Sequence, residues 1–146
     1  MKIYLDMCSL QRPLDTKTQL RIAVEAEAIL GILALCESGQ AELVASEALV
    51  FEAGRNPHPV RKRYAAEVLS KAKIFVHTDS RVAERARALH EAGIKPLDAM
   101  HLASAMEAQA DYFCTCDDRL LRRAKAVDTS PANVVSPLEL IGEVTR

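Results

Sequence analysis

The stretch Lys95–Asp117, KPLDAMHLASAMEAQADYFCTCD, gives the clearest indication of architecture. Pro96 suits the first turn of a helix, because its missing N–H is one that a helix start leaves unpaired in any case. Asp98 falls in the same turn, where the helix dipole favours a negative charge. From Leu97 to about Ala108 the residues favour a helix, and its alanine-rich face permits close packing. Tyr112-Phe113-Cys114 then switches to the aromatic, strand-prone composition of a buried β-strand, with Asp117 just beyond it. A helix that leads into a buried strand is what a parallel crossover requires.

The alternation continues in both directions. Lys2-Ile3-Tyr4-Leu5 reads as a short buried strand that ends on Asp6. From Thr16 or Thr18 to about Ser38, apolar side chains at Ile22, Ala26, Ile29, Leu33 and Cys36 lay one stripe along a helix, with Gly39 as its stop. Glu42-Leu43-Val44-Ala45 reads as a second strand, and Ser46 is placed to cap a helix through Glu52 toward Gly54. Asn56-Pro57-His58-Pro59 breaks the chain. Residues 60–72 read as a basic helix and Ile74-Phe75-Val76 as a third strand. Asp79 or Ser80 caps a helix to about Ala92, stopped by Gly93. Beyond Asp117, residues 118–125 form a short helix, Val134-Val135 a last strand, and residues 137–143 a closing helix. This pattern predicts an α/β fold, a three-layer α/β/α sandwich around a central parallel sheet of four to five strands.

Composition bounds the function. The chain has 146 residues, 49% of them apolar and 27% charged, the balance of an ordinary globular protein. A chain of about 150 residues buries roughly 68–70% of its unfolded surface, so one domain over residues 1–146 needs no disulfide or structural metal. No repeat or dividing linker interrupts it. Nineteen Lys and Arg against 20 Asp and Glu leave a net charge of −1, so a polyanion must be held by local groups rather than by the field of the whole protein. No window approaches about 18 uncharged apolar residues, which argues against a membrane span. Residues 1–6 are too soon acidic for a signal peptide, so a cytoplasmic location is expected. Cys8, Cys36, Cys114 and Cys116 contain no CxxC pair and read as reduced core thiols.

In open parallel sheets ligands gather at the carboxyl ends of the strands, which gives the residues after each strand extra weight. Asp6 and Asp117 stand there, Asp98 lies in a helix first turn, and Glu52 lies one and a half turns into the helix opened by Ser46. Taken singly, Asp98, Asp117, Asp118 and Glu52 have ordinary readings as caps or solvated charges. Asp6 does not, since a carboxylate closing a buried strand is costly unless paired, hydrogen-bonded or bound to a cation. Convergent carboxylates repel, which raises their pKa values or demands divalent cations. Oxygen ligands without a Cys or His cluster favour Mg²⁺ or Mn²⁺ over zinc.

Tyr4-Leu5-Asp6, Ser46 with Glu52 six residues on, Lys95–Ala103 and Ala110–Asp117 together resemble, in order and spacing, the PIN domain, the nuclease fold of VapC-type toxins. The resemblance spans residues 2 to about 125. It implies a metal-dependent ribonuclease that hydrolyses RNA phosphodiester bonds with Mg²⁺ or Mn²⁺, with Asp6, Glu52, Asp98 and Asp117 as catalytic and metal-binding residues. It further implies a partner antitoxin that covers the site. The family often places Thr or Ser directly after its first Asp. Here Met7 and Cys8 stand there and the nearest hydroxyl is Ser9. Asp118 beside Asp117 leaves the fourth ligand open, and Glu47 is a rival to Glu52 that better suits the helix start.

Arg12, Arg119, Arg122 and Arg123 are candidate phosphate contacts, as are Arg61-Lys62-Arg63, although basic helix faces are more often simply solvated. His101, three residues after Asp98 and on the same helix side, reads as a packed or supporting histidine rather than a ligand. The apolar run Ala26–Cys36 suits a homodimer face or a helix covered on both sides. Two other readings compete. One is a non-catalytic PIN-like module that binds RNA or protein. The other is a phosphoacceptor receiver, which usually pairs two acids after one strand, whereas Asp6 stands alone.

Overall fold

The computed structural model describes residues 1–146. Five strands form one sheet: β1 (Lys2–Leu5), β2 (Glu42–Ser46), β3 (Ile74–Val76), β4 (Tyr112–Cys114) and β5 (Asn133–Val135). Around it run α1 (Met7–Leu10), α2 (Leu20–Glu37), α3 (Glu47–Gly54), α4 (Pro59–Ser70), α5 (Ser80–Glu91), α6 (Pro96–Glu107), α7 (Asp118–Lys125) and α8 (Pro137–Val144). The strand order is β3-β2-β1-β4-β5 and every pairing is parallel, so the predicted sandwich and its upper strand count are what the chain adopts. No helix is long and apolar enough to cross a membrane.

The central strands are buried on both faces, and their composition follows. Ile3, Tyr4, Leu5, Val44 and Phe113 are fully buried, and Ala99, Leu102 and Ala103 bring α6 close. Gly39 and Gly93, predicted helix stops, have φ of +82° and +106°, a region that side chains with a Cβ rarely adopt.

Two local expectations need correction, those for Thr16 or Thr18 and for Cys8, and the structure bears on the open reading of Ala26–Cys36. Neither Thr16 nor Thr18 opens α2, which begins at Leu20 after Gln19 with no side-chain cap. A 3-10 turn over Arg12–Leu14 precedes it, with Pro13 in its first turn, and Lys17 Nζ donates back to the Pro13 carbonyl at 2.6 Å before the helix begins. The run Ala26–Cys36 is in part covered within the chain: Ala26, Ile29 and Ile32 face the core, and Ile141 of α8 reaches within 3.4 Å of where a Cβ on Gly31 would stand. Cys8 is exposed rather than a core thiol, because Asp6 starts a short helix that turns it outward; Cys114 and Cys116 are buried and all four cysteines are free.

Candidate active site

In this topology each helix that follows a strand begins at the carboxyl edge of the sheet, so the N-termini of α1, α3 and α7 collect there with their partial positive charge. The chain leaves β1 toward β2 on one side and returns at β4 on the other, making the β1–β4 boundary the switch point where a crevice opens. Asp6 and Asp117 flank that boundary. Asp6 caps α1: its Oδ1 accepts from the Ser9 N–H and the Cys8 thiol, each at 3.1 Å, and its own N–H donates to the Cys114 carbonyl at 3.1 Å. Asp117 caps α7 by accepting from the N–H groups of Arg119 (2.9 Å) and Leu120 (3.2 Å).

Asp98 stands in the first turn of α6 and Glu52 in the second half of α3. Glu52 Oε1 lies 2.7 Å from His101 Nε2. His101 Nδ1 lies 2.7 Å from the Tyr4 hydroxyl, which lies 2.6 Å from Ser46 Oγ. Beside Glu52 a cavity of about 490 Å³ opens, lined also by Cys8, Arg55, Asn56 and Arg61. Arg55 and Asn56 escape a reading of the sequence because they sit in the break before α4, where spacing carries no signal.

The electrostatics tie the four acids together. Burial pushes the Asp6 carboxyl up, opposed by hydrogen bonding from Thr115, Cys8 and Ser9. Asp98 is raised first by burial and then by the charge of Asp6, and Asp117 and Glu52 add to it. No Lys or Arg pairs with Asp6, Asp98, Asp117 or Glu52; the salt bridges of the chain lie elsewhere, apart from the His101 contact. No three Asp, Glu, His or Cys side chains close into a direct ligand cluster. The acids therefore share a field rather than a contact. An all-oxygen donor set suits a small hard cation that keeps several of its own waters, as Mg²⁺ does.

The neighbouring candidates are otherwise engaged. Asp118 holds Arg21 through two bonds of 2.8 Å, which lowers its carboxyl and leaves Asp117 as the acid coupled to Asp98. Glu47 contacts His77 at 2.9 Å. Ser9 Oγ donates to the Cys114 carbonyl at 3.1 Å, so the nearest hydroxyl after Asp6 is committed to the backbone. Arg12, expected near a phosphate, is bound by Glu25 at 2.7 and 3.0 Å and by Asp15 at 3.0 Å, and it serves the packing of α2. Arg119, Arg122 and Arg123 lie on α7, beside Asp117; Arg123 contacts the Gly93 carbonyl at 3.3 Å.

Comparison with known proteins gives this arrangement its family. The PIN domain family matches residues 3–126. The chain belongs to the PIN domain family. Its fold is similar to a chain in the structure of VapBC2 from Rickettsia felis bound to a DNA fragment from their promoter, with TM-score 0.60 and 10% identity over 92% of this chain and 99% of that one. It is also similar to a chain of DNA-bound VapBC from Salmonella typhimurium (TM-score 0.59, 15% identity, 94% and 98% covered). PAE2754 from Pyrobaculum aerophilum gives TM-score 0.59 and 18% identity over 99% and 98% of the two chains. No curated protein matches the sequence. The matched residues 3–126 of this PIN domain include all four acids of the carboxyl edge.

Proposed function

We propose that this PIN domain is a metal-dependent endoribonuclease in which Asp6, Asp98 and Asp117 hold Mg²⁺ or Mn²⁺ and Glu52 completes a second site or positions the attacking water. The observation that carries the reading is the charge at the carboxyl edge: four acids that share one field, with no lysine or arginine ion-paired to any of them. A bound divalent cation would supply a Lewis acid for the phosphate and a water of lowered pKa. The chain's own work is to aim and insulate. Asp6 and Asp117 are fixed by the N–H groups that they cap, and Glu52 by His101, so the carboxylates need little reordering when a cation arrives. No side chain need act as nucleophile. Arg119, Arg122 and Arg123 on α7 are the cations offered to the RNA backbone, which gives binding that weakens with salt.

The VapBC likeness supports a toxin role, with an antitoxin protein that covers this edge and with a second copy of the chain as a further partner. The test is Mn²⁺ binding by calorimetry together with cleavage of RNA. Metal uptake with Mn²⁺-dependent cleavage is the expected result; metal uptake without cleavage of any RNA would instead identify a binding module.

A further inference from the structure

We propose that Ser46, Tyr4 and His101 form a one-way chain of hydrogen-bond donors that fixes the hydrogen of His101 on Nε2 and makes it the positioning residue for Glu52. The inference rests on the reading of Glu52 as part of the cleavage site, and goes beyond it by assigning the group that holds Glu52 and the protons in between.

The direction follows from what each buried group has left to bind. Ser46 Oγ already accepts from the Leu49 N–H at 3.1 Å, and its other partner is the Tyr4 hydroxyl at 2.6 Å. Ser46 is fully buried, so its own proton has one acceptor, the Tyr4 oxygen; a buried donor without a partner is strongly disfavoured. The Tyr4 proton must then go to its remaining neighbour, His101 Nδ1, at 2.7 Å. Burial holds the Tyr4 phenol well above its ordinary pKa, which keeps that proton in place. A ring whose Nδ1 accepts carries its hydrogen on Nε2, and Nε2 faces Glu52 Oε1 at 2.7 Å. The opposite direction, from His101 through Tyr4 to Ser46, strands the serine proton. An imidazolium would also have to donate from Nδ1 and meets the same obstacle.

The geometry suits a positioning role. Glu52 ends a flexible side chain that is 34% exposed, and one hydrogen bond from a ring that is 2% exposed removes most of its freedom while leaving Oε2 for the site. The ring itself is held because Tyr4 stacks on Phe113 at 5.4 Å and meets His101 edge-on at 5.8 Å. Both nitrogens of His101 are occupied, so it has no lone pair free for a cation. The chain ties β1, β2 and α6 to α3.

The first test is the ring ¹⁵N spectrum of His101 in the metal-free wild-type protein at neutral pH, which is expected to show a protonated Nε2 and a bare Nδ1. An Nδ1–H tautomer or an imidazolium would overturn the proposal. Tyr4→Phe, which keeps the stacked ring but not the donor, is expected to release the ring into a mixture of tautomers, and an unchanged spectrum would overturn it as well. His101→Leu is expected to weaken Mn²⁺ binding or cleavage by about 10–100-fold, the usual effect of losing a group that orients a metal ligand. His101→Gln, whose amide keeps an N–H near the place of Nε2, is expected to recover most of that loss; equal losses in two folded variants would remove the positioning role. Cleavage by Glu52→Gln at the wild-type rate would overturn the cleavage-site reading, and the positioning role with it, while the tautomer still stands or falls on the spectrum.

Discussion

Two acidic regions meet at Asp117 and Asp118, and the protein treats them in opposite ways. On the α2 side, Glu25, Asp15 and Asp118 are each met by a guanidinium, from Arg12, Arg21 or Arg61, at distances of 2.7 to 3.4 Å. On the crevice side Asp6 and Asp117 meet backbone N–H groups and, for Asp6, a thiol, while Asp98 feels the charge of both. Residue type is the same in both. What separates them is compensation: the first region is met by its own arginines and binds its own helices, whereas the second holds unbalanced charge that an external cation would relieve. An acid at a strand end is therefore informative only once its counter-charge is known.

Several experiments bear on that contrast, and the largest effect is expected from the crevice. Asp6→Asn or Asp98→Asn should lower metal-dependent RNA cleavage by well over about 100-fold, more than the loss of a merely supporting group. Circular dichroism should show the fold unchanged, since the amide oxygen introduced by Asp6→Asn can still cap α1. Wild-type cleavage in both variants would end the assignment. Next is Glu25→Ala on the opposite side. Glu25 is 2% exposed and bonds two arginines that keep Asp15 and Asp118 as partners, so its loss should cost about 1–3 kcal/mol in chemical denaturation, with cleavage per folded molecule retained.

The third test adds cation. Mn²⁺ at about 100 times its Kd should stabilise the wild type by about 2.7 kcal/mol and Asp98→Asn by much less, read from thermal melting. The fourth uses pH. Because the folded-state carboxyls of Asp6 and Asp98 are raised, the folded chain keeps protons that the unfolded chain has released, and stability falls as pH rises between the ordinary and the raised pKa. Metal-free Asp98→Asn should thus melt above the wild type at neutral pH and level with it below the carboxylate range; a variant that melts lower at neutral pH would mean that Asp98 is already compensated. The smallest effect is expected at α7, where Arg119→Ala should reduce the salt slope of RNA binding by about one unit, measured as log K against log salt. An unchanged slope would take Arg119 off the RNA path.

Much of this is legible in the sequence, for identifiable reasons. Parallel strands buried on both faces read as short apolar runs, and Gly39, Gly93, Pro96 and Ser46 mark helix ends by local chemistry that the structure repeats. The common side of Asp98 and His101 also follows from helical spacing. The helix α1 escapes such a reading because its four residues make one turn, too short for any periodicity. The partner of Arg12 is Glu25, 13 residues away, and that of Asp118 is Arg21, 97 residues away, and no local spacing points to either contact. Spacing arguments see one element at a time. The His101–Glu52 contact crosses 49 residues and joins two helices, so sequence alone leaves His101 without a partner.

The placement of Asp98 and His101 on successive turns of α6 limits how this chain can vary. One rigid rod delivers a charge to the crevice and a ring to Glu52. Adding or removing a residue between them would rotate one about 100° away from the other. The three-residue step from Asp98 to His101 has no slack for a change of length.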